Sequence, residues 1–199
     1  FIDHAIATSP ELASEKYDRY INLGLSEDEA NQMLQDKASS EILSYVLKNQ
    51  SVIVNAVCGA GKTELVYKSI EHYINKGLKV AFTIPRKDVC IEIYNRLKKD
   101  YPSIDISLVY GGHTKNLEGQ LIVLTTHQLY RYSNYFDLLI IDETDAFPFS
   151  NNEVLMNMFE RSIRGNYVMM SATPLPWMKE KIRKKTNGNS LQNLGFVVY

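Results

Sequence analysis

Gly59-Ala60-Gly61-Lys62-Thr63 stands between the apolar run Val52-Ile53-Val54 and a segment of helical character, Leu65 to Asn75. Two glycines so placed let the backbone bend tightly and turn its N–H groups inward, where they can cup phosphate oxygens. A helix starting at such a bend aims the positive end of its dipole at the same anion. Lys62 adds a full positive charge, and Thr63 a hydroxyl able to ligate Mg²⁺ beside the phosphates. The chemistry implied is the binding of a nucleotide, with Gly59, Ala60, Gly61, Lys62, Thr63 and Glu64 around its phosphates. Taken alone, the stretch also reads as a glycine-rich turn between strand and helix.

A second stretch narrows the choice. Phe136-Asp137-Leu138-Leu139-Ile140-Ile141 runs into Asp142-Glu143-Thr144-Asp145. An unbroken aliphatic run suits a strand buried on both faces, as in a parallel sheet. Carboxylates at the end of such a strand are costly without a cation or a partner. Asp142 is suited to hold Mg²⁺ through water, and Glu143 to orient or deprotonate an attacking water. An acidic turn after a strand is the bland alternative. The two stretches in this order, each at a strand end, argue against it.

The elements that must position these residues follow from pattern. Thr8-Ser9-Pro10-Glu11 reads as a helix start, with the helix running to about Asn22 and stopping at Gly24. Ser26-Glu27-Asp28-Glu29 is a capping box opening a helix towards Leu34, and a third helix is expected over Ala38 to Lys48. Strands are expected at 52–57, 79–84, 106–110, 121–125, 138–142, 167–171 and 196–199, with helices at 65–75 and 88–99. Such alternation predicts an α/β fold, a mostly parallel sheet with helices on both faces. Ligands of such sheets bind beyond the carboxyl ends of the strands, where both motifs lie.

Composition sets outer limits. Hydrophobic residues make up 45% of the 199, enough for a core, so disorder is excluded as the default. A net charge of −1 argues against a generally basic nucleic-acid coat but leaves room for a local basic groove. The 2 cysteines, Cys58 and Cys90, are too few for a disulfide framework or a four-cysteine zinc site. No secretory signal or membrane-spanning run is evident, so a cytoplasmic place is expected. The first residue is Phe1, so the chain reads as a piece of something longer.

Weaker motifs sit in the same order along the chain. Pro85-Arg86 and Gly111-Gly112 each follow an expected strand, Thr125-Thr126 stand at the end of another, and together they offer a cation, open amides and hydroxyls. Such groups bind phosphates without reading sequence. Each is equally readable as a helix cap or turn. Ser171-Ala172-Thr173-Pro174 ends a further strand, and Gln35 precedes the first. A glutamine amide donates and accepts at once, as an adenine edge demands, although a solvated helix glutamine fits as well.

Together these stretches, with the tail Asp145-Ala146-Phe147-Pro148-Phe149, resemble the ComFA family, superfamily-2 ATPases of bacterial competence. The resemblance covers roughly residues 35 to 199, with 1–34 left as an N-terminal helical extension. Ala56 stands where the usual loop begins with glycine, as in many helicase-type ATPases. The resemblance implies a single RecA-like P-loop lobe binding ATP and Mg²⁺. Lys62, Asp142 and Glu143 would carry hydrolysis, with Thr63 and Asp142 at the metal and Gln35 at adenine. Pro85, Arg86, Gly111, Gly112, Thr125 and Thr126 would touch single-stranded DNA. Asp145, Ser171, Ala172 and Thr173 would couple the two sites.

The implied partners are a second RecA-like lobe of the same parent and competence proteins at the membrane DNA channel. The four-cysteine zinc module usual in the family is not found in these residues, and neither is the second lobe that supplies arginine fingers. Loss of an arginine finger typically lowers the rate by about 10³–10⁵. These residues by themselves are therefore expected to bind nucleotide and hydrolyse it very slowly. Two alternatives remain open from sequence: another superfamily-2 subunit acting in repair, restriction or on RNA, and a non-motor module that docks a protein under nucleotide control.

Overall fold

The computed structural model describes residues 9–55, 61–143, 153–172 and 194–198. The chain divides into two compact units, Phe1–Ser69 with Ser171–Tyr199, and Ile70–Met170.

The first unit carries α1 (Ser9–Asn22), α2 (Glu27–Leu47), β1 (Ser51–Asn55), β7 (Leu194–Val198) and a 3-10 turn, Glu64–Val66. Ser26 caps α2 as its sequence promises. The Ser26 hydroxyl accepts from the Glu29 amide at 3.3 Å, and the Glu29 carboxylate takes the Ser26 amide at 2.9 Å. The Ser26 amide first, and then the Ser26 hydroxyl donating to the same carboxylate at 2.8 Å, hold the Glu29 carboxyl below its usual range. α2 is one continuous helix where two were expected, so Gln35-Asp36-Lys37 are helical rather than a linker. β1 and β7 pair in parallel, from Ser51 against Leu194 to Asn55 against Val198. Val52, Ile53 and Val54 are buried, which anchors the strand that leads into the phosphate-loop residues.

The second unit holds β2 (Val80–Ile84), α4 (Lys87–Asp100), β3 (Ile106–Val109), β4 (Leu121–Thr125), β5 (Phe136–Ile141), α5 (Glu153–Ser162) and most of β6 (Ile163–Ser171). α3 (Tyr67–Asn75) runs from the first unit into the second. The strands stand in the order β3-β4-β2-β5-β6, and every neighbouring pair is parallel. All residues of β2 and β4 are buried, as expected of strands covered on both faces. α4 packs on β2, β3 and β4 through Cys90, Ile93 and Leu97, a helical stripe. Burial pushes the Cys90 thiol up to about 12, so it serves as an apolar filler.

β2 and β5 are neighbours, yet the chain leaves them in opposite directions along the sheet, towards β3 and towards β6. Divergence of that kind opens a crevice at the carboxyl ends of the two strands. Arg86 follows β2, and Asp142-Glu143 follow β5.

At the opposite end of β5, Asp137 opposes two residues of β6, Arg164 and Gly165. The register there runs Phe136 with Ile163, then Leu138 with Asn166. A bulge of this kind needs room, and Gly165 supplies it: a Cβ there would lie 2.2 Å from the Asp137 carbonyl oxygen. Arg164 grips the Asp137 carboxylate with Nε at 2.8 Å and Nη2 at 2.6 Å, and the Lys79 amide adds a bond at 2.8 Å. Burial raises the Asp137 carboxyl, but these donors outweigh it and hold the group below its ordinary value of 3.8.

Candidate nucleotide and nucleic-acid site

Gly61 is where the phosphate loop meets the helix. Its φ of +65° lies in the left-handed region, which glycine adopts without a steric penalty. Gln35, reaching over from α2, donates its amide Nε2 to the Gly61 carbonyl at 3.2 Å. A Cβ on Gly61 would come within 2.5 Å of that same nitrogen, so a side chain there would displace Gln35 from its bond. Lys62 and Thr63 follow at once and begin the 3-10 turn: the Leu65 amide donates to the Lys62 carbonyl, and that of Val66 to the Thr63 carbonyl. The amides of a starting helical turn are free to face an anion, so these residues fit a phosphate group with Mg²⁺ beside it. Gly59 and Ala60 lie outside the described residues.

Beside this turn the first unit has a cleft of about 640 Å³, lined by Tyr20, Gln35, Ser39, Glu64, Tyr67 and Lys68 among others. Lys68 fixes one wall by pairing with the Asp36 carboxylate and donating to the Ser40 hydroxyl at 2.8 Å. The Ser39 hydroxyl is buried there without a hydrogen-bond partner. Sequence reasoning picked out Gln35 and Glu64 but missed Tyr20, Ser39, Tyr67 and Lys68. For Ser39 the signal was the helical spacing of a continuous α2, which a break after Leu34 concealed; Tyr20 lies on α1 and Tyr67 and Lys68 on α3, and only the fold brings them to the cleft.

In the second unit, Asp142 is buried, and its amide extends the β2–β5 ladder by donating to the Thr83 carbonyl at 3.0 Å. Glu143 then turns into the left-handed region at φ +52°, with its amide donating to the Asp142 carboxylate at 2.8 Å. A non-glycine residue there stores backbone strain of order 1 kcal/mol. The Glu143 carboxylate is met by Arg86, whose Nε and Nη2 reach Oε2 and Oε1 at 3.3 and 3.4 Å. The structure thus brings together a residue expected at DNA and one expected at the reacting water.

The other expected contacts are spread over neighbouring loops. Pro85 precedes Arg86 at the end of β2. Thr125 ends β4, and the buried Thr126 begins a 3-10 turn. Between the hydroxyls of Thr83 and Thr126 runs a hydrogen bond of 3.0 Å. Gly111 and Gly112 are exposed in the turn after β3, and Gly112 has φ +83°. The Tyr110 and His113 rings stack across that turn at 4.9 Å, and Lys87 Nζ lies 4.5 Å from the Tyr110 ring centroid. Neither ring was singled out from sequence. Ser171 is buried at the end of β6, followed by Ala172. Asp145 and Thr173 lie outside the described residues. Among the described residues no His, Cys, Asp and Glu cluster forms a metal site by itself.

A family model described as type III restriction enzyme, res subunit (ResIII), matches residues 29–175. The chain belongs to the ResIII family. Within that family its sequence is ComFA-like. It is 41% identical over 157 residues to the competence protein ComFA of Bacillus subtilis (strain 168), covering 77% of this chain and 33% of that protein. With ComFA of Streptococcus pneumoniae it shares 40% over 151 residues, covering 75% and 35%. The chain therefore spans about a third of the length of these curated relatives.

Solved structures agree on the fold. A hypothetical ATP-dependent RNA helicase from Sulfolobus tokodaii matches with a TM-score of 0.59 at 20% identity, over 80% of this chain and 51% of that one. The Sulfolobus solfataricus SWI2/SNF2 ATPase core, solved with double-stranded DNA, matches at 0.62 and 16% identity, over 73% and 34%. This ResIII chain has the RecA-like fold of superfamily-2 helicase lobes, as its motifs imply.

Proposed function

We propose that the chain is the ATP-binding lobe of a DNA-dependent ATPase that drives single-stranded DNA uptake during competence. The observation that carries this reading is the 41% identity to Bacillus subtilis ComFA. When bound, ATP with Mg²⁺ supplies a γ-phosphoryl group open to in-line attack by water. Lys62 and the amides after Gly61 neutralise charge on the phosphates, and Thr63 and Asp142 hold the metal. Glu143 orients the water and accepts its proton. Gln35, already engaged on Gly61, reads the adenine edge.

Pro85, Arg86, Gly111, Gly112, Thr125 and Thr126 take phosphates of the DNA strand, and Asp145 with Ser171, Ala172 and Thr173 relays strand binding to the nucleotide. A second RecA-like lobe supplies the arginine finger in this reading, with competence proteins at the membrane as further partners. The lobe works at the inner face of the membrane; among the described residues no helix is long and apolar enough to cross one.

Transformation of the host tests the biological claim. A strain carrying Lys62→Ala in the full-length protein should lose uptake of added DNA by orders of magnitude while growing normally. Undiminished transformation would contradict the reading.

A further inference from the structure

Arg86 and Glu143 are 57 residues apart in sequence and held by a two-pronged ion pair. Three observations indicate that the pair is built to exchange. Both bonds are long for charge-assisted contacts, which ordinarily measure about 2.7–2.9 Å. The Arg86 side chain is 57% exposed and the Glu143 side chain 29%, so water and solutes reach the guanidinium. The Glu143 backbone sits at φ +52°, a costly conformation for a residue other than glycine.

The setting favours an incoming anion. Arg86 occupies the N-cap position of the 14-residue α4, with no side-chain cap bond, so its backbone stands at the positive end of a helix dipole. Lys87 adds a second cation, and Asp88 is the acid of that first turn. Glu143 thus fills the place of an anion in the structure. A phosphodiester can take the same guanidinium fork with the same two-pronged geometry.

On the reading that this lobe serves a DNA-dependent ATPase, we infer that Arg86 is a positioning residue for Glu143. With no strand bound, its guanidinium restrains the carboxylate. A DNA phosphate that takes Arg86 releases Glu143 to orient water, so one side chain couples strand binding to hydrolysis. Such coupling is reciprocal: whatever frees Arg86 from Glu143 must also strengthen its hold on DNA.

The test uses the full-length protein and two readouts. The first is affinity for a single-stranded oligonucleotide without nucleotide. Glu143→Gln should bind about two- to five-fold more tightly than wild type, the range an exposed ion pair can supply. The gain should vanish when Arg86→Ala is already present, which separates the pair from a general change of charge. The second readout is ATP turnover. Arg86→Ala should raise the DNA-free rate several-fold and flatten its response to DNA, with Arg86→Lys intermediate because a lysine makes a point contact. Unchanged oligonucleotide affinity in Glu143→Gln, an equal gain in the Arg86→Ala background, or an unchanged or lower DNA-free rate in Arg86→Ala would each overturn the inference. Those results with a DNA-stimulated wild type leave the motor reading standing. A wild type that ignores DNA would remove that reading and the inference with it.

Discussion

β5 carries an arginine–carboxylate pair near each end, and the two are built differently. At its start, Arg164 holds Asp137 at 2.6 and 2.8 Å, the carboxylate side chain is 13% exposed, and a backbone amide completes the grip. Just past its other end, Arg86 meets Glu143 at 3.3 and 3.4 Å in a more open setting, with the backbone twisted into the left-handed region. The first pair is sheltered by a bulge and by neighbours that cannot move without disturbing the sheet. The second joins two loops at the carboxyl ends of diverging strands, where ligands of open sheets bind. The same chemistry serves as a fastening at one end and as an exchangeable contact at the other.

Substitutions should separate the two. The largest effect is expected at the exchangeable end: Glu143→Gln in the full-length protein should lower ATP turnover by about 10²–10⁴, the span of a lost general base. Nucleotide affinity and melting temperature should stay near wild type, as isothermal titration and calorimetry would show. Loss of fold in this variant would mean that the Arg86 pair is a fastening too.

The locked end should behave the opposite way. Gly165→Ala forces a Cβ against the Asp137 backbone and should destabilise by about 1–3 kcal/mol, read from denaturant unfolding. A neutral result would show that the bulge can relax.

Asp137→Asn should cost about 1–2 kcal/mol at neutral pH, because Arg164 is half exposed and part of the attraction is screened. The sign of its pH dependence follows from the lowered carboxyl. Stability from the charged form is present above the unfolded value near 3.8 and is lost as pH falls through the still lower folded value. The gap between wild type and Asp137→Asn should therefore hold at neutral pH and narrow below about pH 5. A gap that widens in acid would contradict the assignment.

The contrast also explains what could be read from sequence. Apolar runs such as Leu121–Thr125 and Leu138–Ile141 announced their strands, because burial on both faces leaves no polar position to confuse the pattern. β6 was expected to begin at Tyr167, yet it begins at Ile163. Arg164-Gly165 look like a loop until Asp137 is known to face them, and that partner is 27 residues from Arg164. α5 was not foreseen, although Leu155, Phe159 and Ser162 carry its buried face at helical spacing. Gln35-Asp36-Lys37 read as a polar break; in the structure Asp36 pairs with Lys68 and Gln35 reaches Gly61, so tertiary partners keep the helix going.

At the site, glycine, lysine and acid motifs were legible because their chemistry is local. The Arg86–Glu143 contact was not, since the fold alone brings β2 and β5 together.

ATP turnover by the full-length protein, measured with and without single-stranded DNA, tests the central claim most directly. A slow rate that DNA raises several-fold, and that Lys62→Ala abolishes, is the predicted result. Turnover indifferent to DNA would contradict the account and leave a nucleotide-controlled binding module in its place.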